Sequence, residues 1–128
     1  NLFAALAECR ERQTEWLADI VDEVSVQHNL PIVILGKAFK PETNMIDGSC
    51  ALLLRYMLLS YGAKIERIYD PVTDPSWELG DSPRVFVIAC KHQCFSTYKF
   101  PKGSVVIDPH RYISDQEGIE VKRIGVGI

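Results

Sequence analysis

The 128-residue sequence lacks most of the features by which short chains declare their function. No apolar run approaches the roughly 20 residues that a membrane span needs. No basic head and apolar middle of a signal peptide opens the chain, so a cytoplasmic setting without a membrane partner is expected. Positive charge is not in excess: 14 basic against 17 acidic residues leave a net charge of -3. That balance does not recommend nucleic acid as a partner, and any anion site must be local. The four cysteines, Cys9, Cys50, Cys90 and Cys94, form no CxxC pair. One domain with 47% hydrophobic residues fills a core without disulfide staples, so reduced thiols are expected. Internal repeats and low-complexity tracts are missing, and so are GxGxxG and P-loop signatures. Cys90-Lys91-His92-Gln93-Cys94 offers three ligand types at unorthodox spacing with no obvious fourth. It reads as a strand-end thiol and a helix-start thiol beside a polar histidine, rather than as a metal site.

What is present begins with Pro31-Ile32-Val33-Ile34-Leu35, an apolar, β-branched run suited to a strand buried on both faces. Gly36 ends it where the backbone must turn, and Lys37 and Lys40 follow at once. In open α/β sheets ligands sit at the carboxyl ends of strands, so a lysine just beyond a buried strand is well placed to meet a phosphate.

The remaining pattern alternates helix and strand. Leu2, Leu6, Cys9, Gln13, Leu17, Ile20 and Val24 recur at helical steps over residues 2–28, with Phe3 and Trp16 widening the stripe. Such a helix must pack on something, in part a further domain or a second subunit. The pattern is already helical at its first residues, and a piece of a longer polypeptide is expected. A second helix starts near Ser49, an N-cap residue, and stops at Gly62. Strands follow at 64–69, 84–89, 104–107 and 120–124. A loop spans 71–83, with a turn of helix expected around residues 75–78. A short helical or irregular segment carries Phe95, Tyr98 and Phe100. The expectation is an α/β fold: a Rossmann-like parallel sheet of about five strands with flanking helices, preceded by a long N-terminal helix.

Ile34-Leu35-Gly36-Lys37-Ala38-Phe39-Lys40-Pro41-Glu42-Thr43, then Ile46 and Ser49, then Gly62-Ala63 and Tyr69-Asp70-Pro71, stand in the order and spacing of a longer pattern. That pattern is L-G-x-A-F-K-x-x-T-x-D-x-R-E-S, a helix, G-A and Y-D-P. The chain thereby resembles the C-terminal, nucleotide-sugar-binding domain of the UDP-glucose/GDP-mannose dehydrogenase family. Cys90-Lys91-His92 falls where the family has T-x-H or T-x-W before a phenylalanine, here Phe95, and Val106-Ile107-Asp108 where it has V-I-D before an arginine. The resemblance covers residues 31–112. It implies that residues 1–30 are the end of the central helix that connects the family's two halves and builds its homodimer. Gln13 sits roughly where that helix has a recurrent glutamine. Residues 31–128 would then be the nucleotide-sugar-binding domain.

The implied activity is an NAD-dependent oxidation of a nucleotide-sugar alcohol to the uronate through a thiol-bound intermediate. Phe39 and Lys40 would line the uridine diphosphate site, with the Lys40 ammonium near a phosphate or the ribose. Phe39 is open between covering a flat base or sugar and packing in the core. Where the family has its arginine after V-I-D, this chain has His110, with Arg111 one step later. Arg111 is open between a bidentate phosphate fork and a plain exposed arginine.

The segment Thr43-Asn44-Met45-Ile46-Asp47-Gly48-Ser49 departs from the pattern, with Asp47 in the place of its arginine. The family's nucleophile lies in G-G-x-C-x-x-K-D, a context that none of the four cysteines has, and no catalytic residue is assigned. NAD would be bound mainly by a separate N-terminal domain, and these residues alone are expected to be inactive. A non-catalytic nucleotide or nucleotide-sugar binding or regulatory module is the alternative.

Overall fold

The computed structural model describes residues 2–37, 50–74 and 78–124, with side chains described from residue 12 in the first helix and from residue 51 in the second. The elements are α1 (Leu2–His28), β1 (Ile32–Leu35), α2 (Cys50–Ser60), β2 (Ile65–Tyr69), β3 (Val85–Ile88), a 3-10 turn (Gln93–Thr97), β4 (Val105–Ile107) and β5 (Glu120–Lys122). They build an α/β fold around one five-stranded, fully parallel sheet in the order β2-β1-β3-β4-β5. The expected strands are all present; the first is found at residues 32–35 as expected, and the other four are shorter by one or two residues. Edge strands β2 and β5 carry the charged residues Glu66, Arg67, Glu120 and Lys122, as strands that face solvent do.

The period-2 alternation of the central strands divides the core cleanly. Ile32 and Ile34, Val85 and Val87, and Val105 and Ile107 point to one face, where Ala18, Val21 and Val24 of α1 and Ala51, Leu54 and Leu58 of α2 cover them. Val33, Leu35, Phe86, Ile88 and Val106 point to the other face, packed among Tyr69, Phe95, Phe100 and Ile113. Among the described residues that second face is covered by the 3-10 turn and by loops, so aromatic rings replace helices as its lid.

Both helices end in the same way. Leu30 N–H donates to Ser25 O and Asn29 N–H to Val26 O; Ala63 N–H donates to Leu58 O and Gly62 N–H to Leu59 O. Asn29 (φ 52) and Gly62 (φ 79) take the left-handed position that this capping pattern requires. These tight stops deliver the chain directly into β1 and β2 and fix where their carboxyl ends lie.

The buried face of α1 differs from the expected stripe. Thr14, Ala18, Val21, Val24 and Ser25 are buried, Leu17 and Ile20 flank them half-buried, and Gln13 and Trp16 are exposed. The smallest side chains face the sheet because they let the helix axis approach it, and the larger leucine and isoleucine then fill the flanks.

Candidate functional site at the sheet reversal

Chain order and spatial order part company between β1 and β3: from β1 the chain crosses to β2 on one side and then returns to β3 on the other. In open parallel sheets such a reversal opens a crevice beyond the carboxyl ends of the two strands, and ligands bind there. Gly36 lies at its floor. Its φ of +99 suits glycine, and a Cβ there would come within 2.5 Å of Cys90 Cβ and 2.9 Å of Cys90 N. The two loops therefore touch backbone to backbone, and only a residue without a side chain fits.

Lys37, the next residue, is held at both ends. Its backbone N–H donates to Asp70 Oδ2 at 2.9 Å, and its ammonium meets Asp74 Oδ2 at 2.8 Å. Asp70 follows β2 directly and is fully buried, as is His92 in the loop after β3. Burying a carboxylate is tolerated only when its oxygens are satisfied. Asp70 Oδ1 accepts Val72 N–H at 2.8 Å, and Oδ2 lies 3.3 Å from His92 Nε2 besides accepting Lys37 N–H. Asp70 N–H donates in turn to Asp74 Oδ2 at 3.1 Å. For the Asp74 carboxyl, partial burial pushes upward, but the Lys37 ammonium and the Asp70 amide more than reverse it and hold it below the ordinary carboxylate value.

The loop after β4 supplies the other flank. Asp108, also fully buried, accepts His110 N–H through Oδ1 at 3.1 Å, and Tyr112 and Ile113 N–H through Oδ2, both at 2.8 Å. These bonds impose a left-handed backbone on Arg111, φ 58, which a non-glycine residue adopts at a cost of about 1–2 kcal/mol. The Tyr112 hydroxyl donates to His92 O at 3.0 Å, and Lys91 Nζ stands 5.3 Å from the Tyr112 ring centre. Desolvation pushes the His110 imidazole below its ordinary value; the Asp108 carboxylate pulls it up, and the Lys91 ammonium adds to the fall. Near neutral pH the positive charge on this flank therefore comes from Lys91 and Arg111 rather than from His110. Along the outer side of β2, Lys37, Arg55, Glu66 and Arg67 line a groove of about 390 Å3 between α2 and β2.

Of the residues expected at the site, Arg111 is exposed at this edge, and it forms no ion pair among the described residues. Phe39 and Lys40 lie outside the described residues, as do the departing segment 43–49 and residues 75–77 of the expected helical turn. Cys90 and Cys94 stand as read, just past the end of β3 and at the start of the 3-10 turn, on either side of His92. Cys90 packs against Gly36, Cys94 Sγ faces the Tyr98 hydroxyl at 3.8 Å, and His92 is wholly buried against Asp70 and Phe95. Burial pushes the Tyr98 hydroxyl well above its ordinary value, with hydrogen bonds to Tyr69 and Cys94 adding to the shift, so it stays protonated.

Asp70 and His92 stand in motifs quoted from the sequence without being assigned to the site, and Asp74 was not singled out. One signal was available: an aspartate follows a strand and precedes a proline twice, at Asp70-Pro71 and Asp108-Pro109, where a charge directly abuts an apolar run. The chain matches no known family model and no curated protein at a significant level.

Proposed function

We propose that this chain binds the nucleotide end of a nucleotide-sugar, as the substrate-nucleotide segment of a UDP-glucose/GDP-mannose dehydrogenase-like oxidoreductase. One observation carries the reading: a single glycine at the sheet reversal is followed at once by Lys37, and the loops after β3 and β4 bring Lys91 and Arg111 to the same edge of the sheet. Three cations at the carboxyl ends of the strands in a chain of net charge -3 favour an anionic ligand. The resemblance gives the phosphate or ribose to Lys40 and the base or sugar to Phe39, with Arg111 as a further phosphate contact, while the ammonium of Lys37 is paired with Asp74. Residues 1–30, which hold α1, then serve as the connecting and dimerising element, in a cytoplasmic enzyme. Among the described residues no helix is long and apolar enough to cross a membrane.

We assign NAD to a separate domain. A pyrophosphate grip of the dinucleotide kind needs free backbone amides on a glycine-rich turn, and here the first amide after Gly36 is already given to Asp70. NAD chemistry belongs to a separate domain, and residues 1–128 alone bind without turning over.

Calorimetric titration with UDP, UDP-glucose and GDP-mannose tests the reading. Saturable binding of at least one is expected, weakened tenfold or more in Lys40→Ala and several-fold in Arg111→Ala. No saturable binding overturns the reading, and binding untouched by Lys40→Ala overturns the site. Asp47, standing where the dehydrogenases carry an arginine, favours a second reading, a binding or regulatory module without catalysis. Nucleotide-sugar oxidation by the chain when joined to an NAD-binding domain separates the two.

A further inference from the structure

The two buried Asp-Pro aspartates differ in reach. Asp108 spends both oxygens on its own loop, on the amides of His110, Tyr112 and Ile113. Asp70 closes its own turn with Oδ1 alone, on Val72 N–H. Its Oδ2 crosses to the loop after β1, accepting Lys37 N–H, and to the loop after β3, where His92 Nε2 lies 3.3 Å away. Three loops around the reversal thus converge on one carboxylate that water does not reach.

We infer that Asp70 is a positioning residue for anion binding, and that it acts by fixing where the chain leaves the sheet at Gly36-Lys37, with His92 orienting the carboxylate. The inference rests on the nucleotide reading above. Its physical basis is a count of acceptors. Val72 and Lys37 each need an acceptor, one at each oxygen, so Asp70→Asn fails in either amide orientation: one backbone N–H then faces an NH2 group, donor to donor. The Lys37 end also feels Asp74, whose carboxylate takes the Lys37 ammonium and the Asp70 amide together, so a shift at Asp70 is passed to both ends of Lys37. His92 is fixed from its other side by the Tyr112 hydroxyl on its carbonyl and by the edge-on ring of Phe95. The ring therefore has little freedom to follow the carboxylate if it moves.

The test compares UDP affinity by calorimetry, and the Lys37 amide proton by NMR, in the 128-residue chain. The variants are Asp70→Asn, His92→Gln and Val24→Ala. Val24→Ala thins the core under the opposite face of the sheet and serves as a control for lost stability alone. At a temperature where all are folded, Asp70→Asn is expected to weaken UDP binding tenfold or more and to displace the Lys37 amide resonance. His92→Gln is expected to weaken binding about threefold with a smaller displacement. Val24→Ala lowers the melting midpoint and leaves the dissociation constant unchanged.

Wild-type affinity in Asp70→Asn overturns the inference while leaving the nucleotide reading intact. Equal weakening in Val24→Ala also overturns it, because general destabilisation then suffices. If the wild-type chain binds no UDP, the nucleotide reading falls and the positioning role falls with it. Should Asp70→Asn not fold, His92→Gln decides, since it leaves both of the carboxylate's backbone partners in place; an unmoved Lys37 amide and unchanged affinity there overturn the inference.

Discussion

The Asp74 carboxylate lies between the ammonium of Lys37, 2.8 Å away, and the backbone amide of Asp70, 3.1 Å away, with about a quarter of each side chain of the ion pair open to water. Exposure of that degree keeps the pair's contribution modest, up to about 1 kcal/mol. Its pH dependence has a definite sign. The folded value is held below the ordinary 3.8, so as pH falls the unfolded chain takes up the proton first. The contribution is complete above the ordinary value and is lost as pH falls through the lower, folded one. Asp74→Asn is therefore expected to be less stable than the wild type by up to about 1 kcal/mol near neutrality, with the gap closing in the acid range below 3.8. Urea midpoints measured from pH 2 to 7 check this; a gap that stays constant to pH 2 shows that Asp74 acts by shape rather than by charge. None of this network was legible residue by residue. Asp70 and His92 stand out in the sequence only as parts of motifs and Asp74 not at all, and their role depends on which loops meet, which is a property of the strand order. Gly36 was legible, because a glycine that interrupts an apolar β-branched run marks a sharp turn or a close approach of backbone to backbone.

At the scale of elements, the central strands were legible because a run buried on both faces has no polar residue to confuse it, as Ile32–Leu35 and Val85–Ile88 illustrate. Helix α1 was legible in type and less so in face. A periodicity count weights large apolar side chains, so it aligned the helix on Leu17 and Ile20, whereas close packing selects the small residues of the true seam. Ala18 sits at that seam with no exposure, in the same cluster as Val21, Ile32 and Val85. Three added carbons have no void to enter, and overpacking of this kind costs about 1–3 kcal/mol. Ala18→Leu is thus expected to destabilise the fold by that amount with an unchanged urea m-value, although leucine is the better hydrophobe. A neutral or stabilising result would mean that α1 can pull away from the sheet, and that its seat is looser than its buried seam indicates.

Over the whole molecule, the alternation of strands and helices pointed to a parallel sheet, but strand order rests on pairings between distant segments, and no local pattern encodes them. The order matters because it gathers charge. Glu15, Asp19, Asp22 and Glu23 lie along α1, while the exposed cations Lys91 and Arg111 stand with the Lys37–Asp74 pair around the carboxyl ends of the strands, so a chain that is acidic in sum brings exposed positive charge to the rim at the reversal. Attraction of a diphosphate to such a rim acts partly through water and is screened by salt. The screening length falls from about 10 Å at 0.1 M to about 3 Å at 1 M ionic strength. Raising sodium chloride over that range is therefore expected to weaken UDP binding several-fold. Uridine, which offers the same base and ribose without phosphates, is expected to bind more weakly and to be nearly indifferent to salt. The comparison separates charge from shape: the slope difference between the two ligands reports the phosphate contacts alone, and Arg111→Ala should reduce it while leaving uridine unaffected. Equal slopes would mean that the rim does not meet the phosphates, and that the ligand sits away from the cations that the strand order brings together.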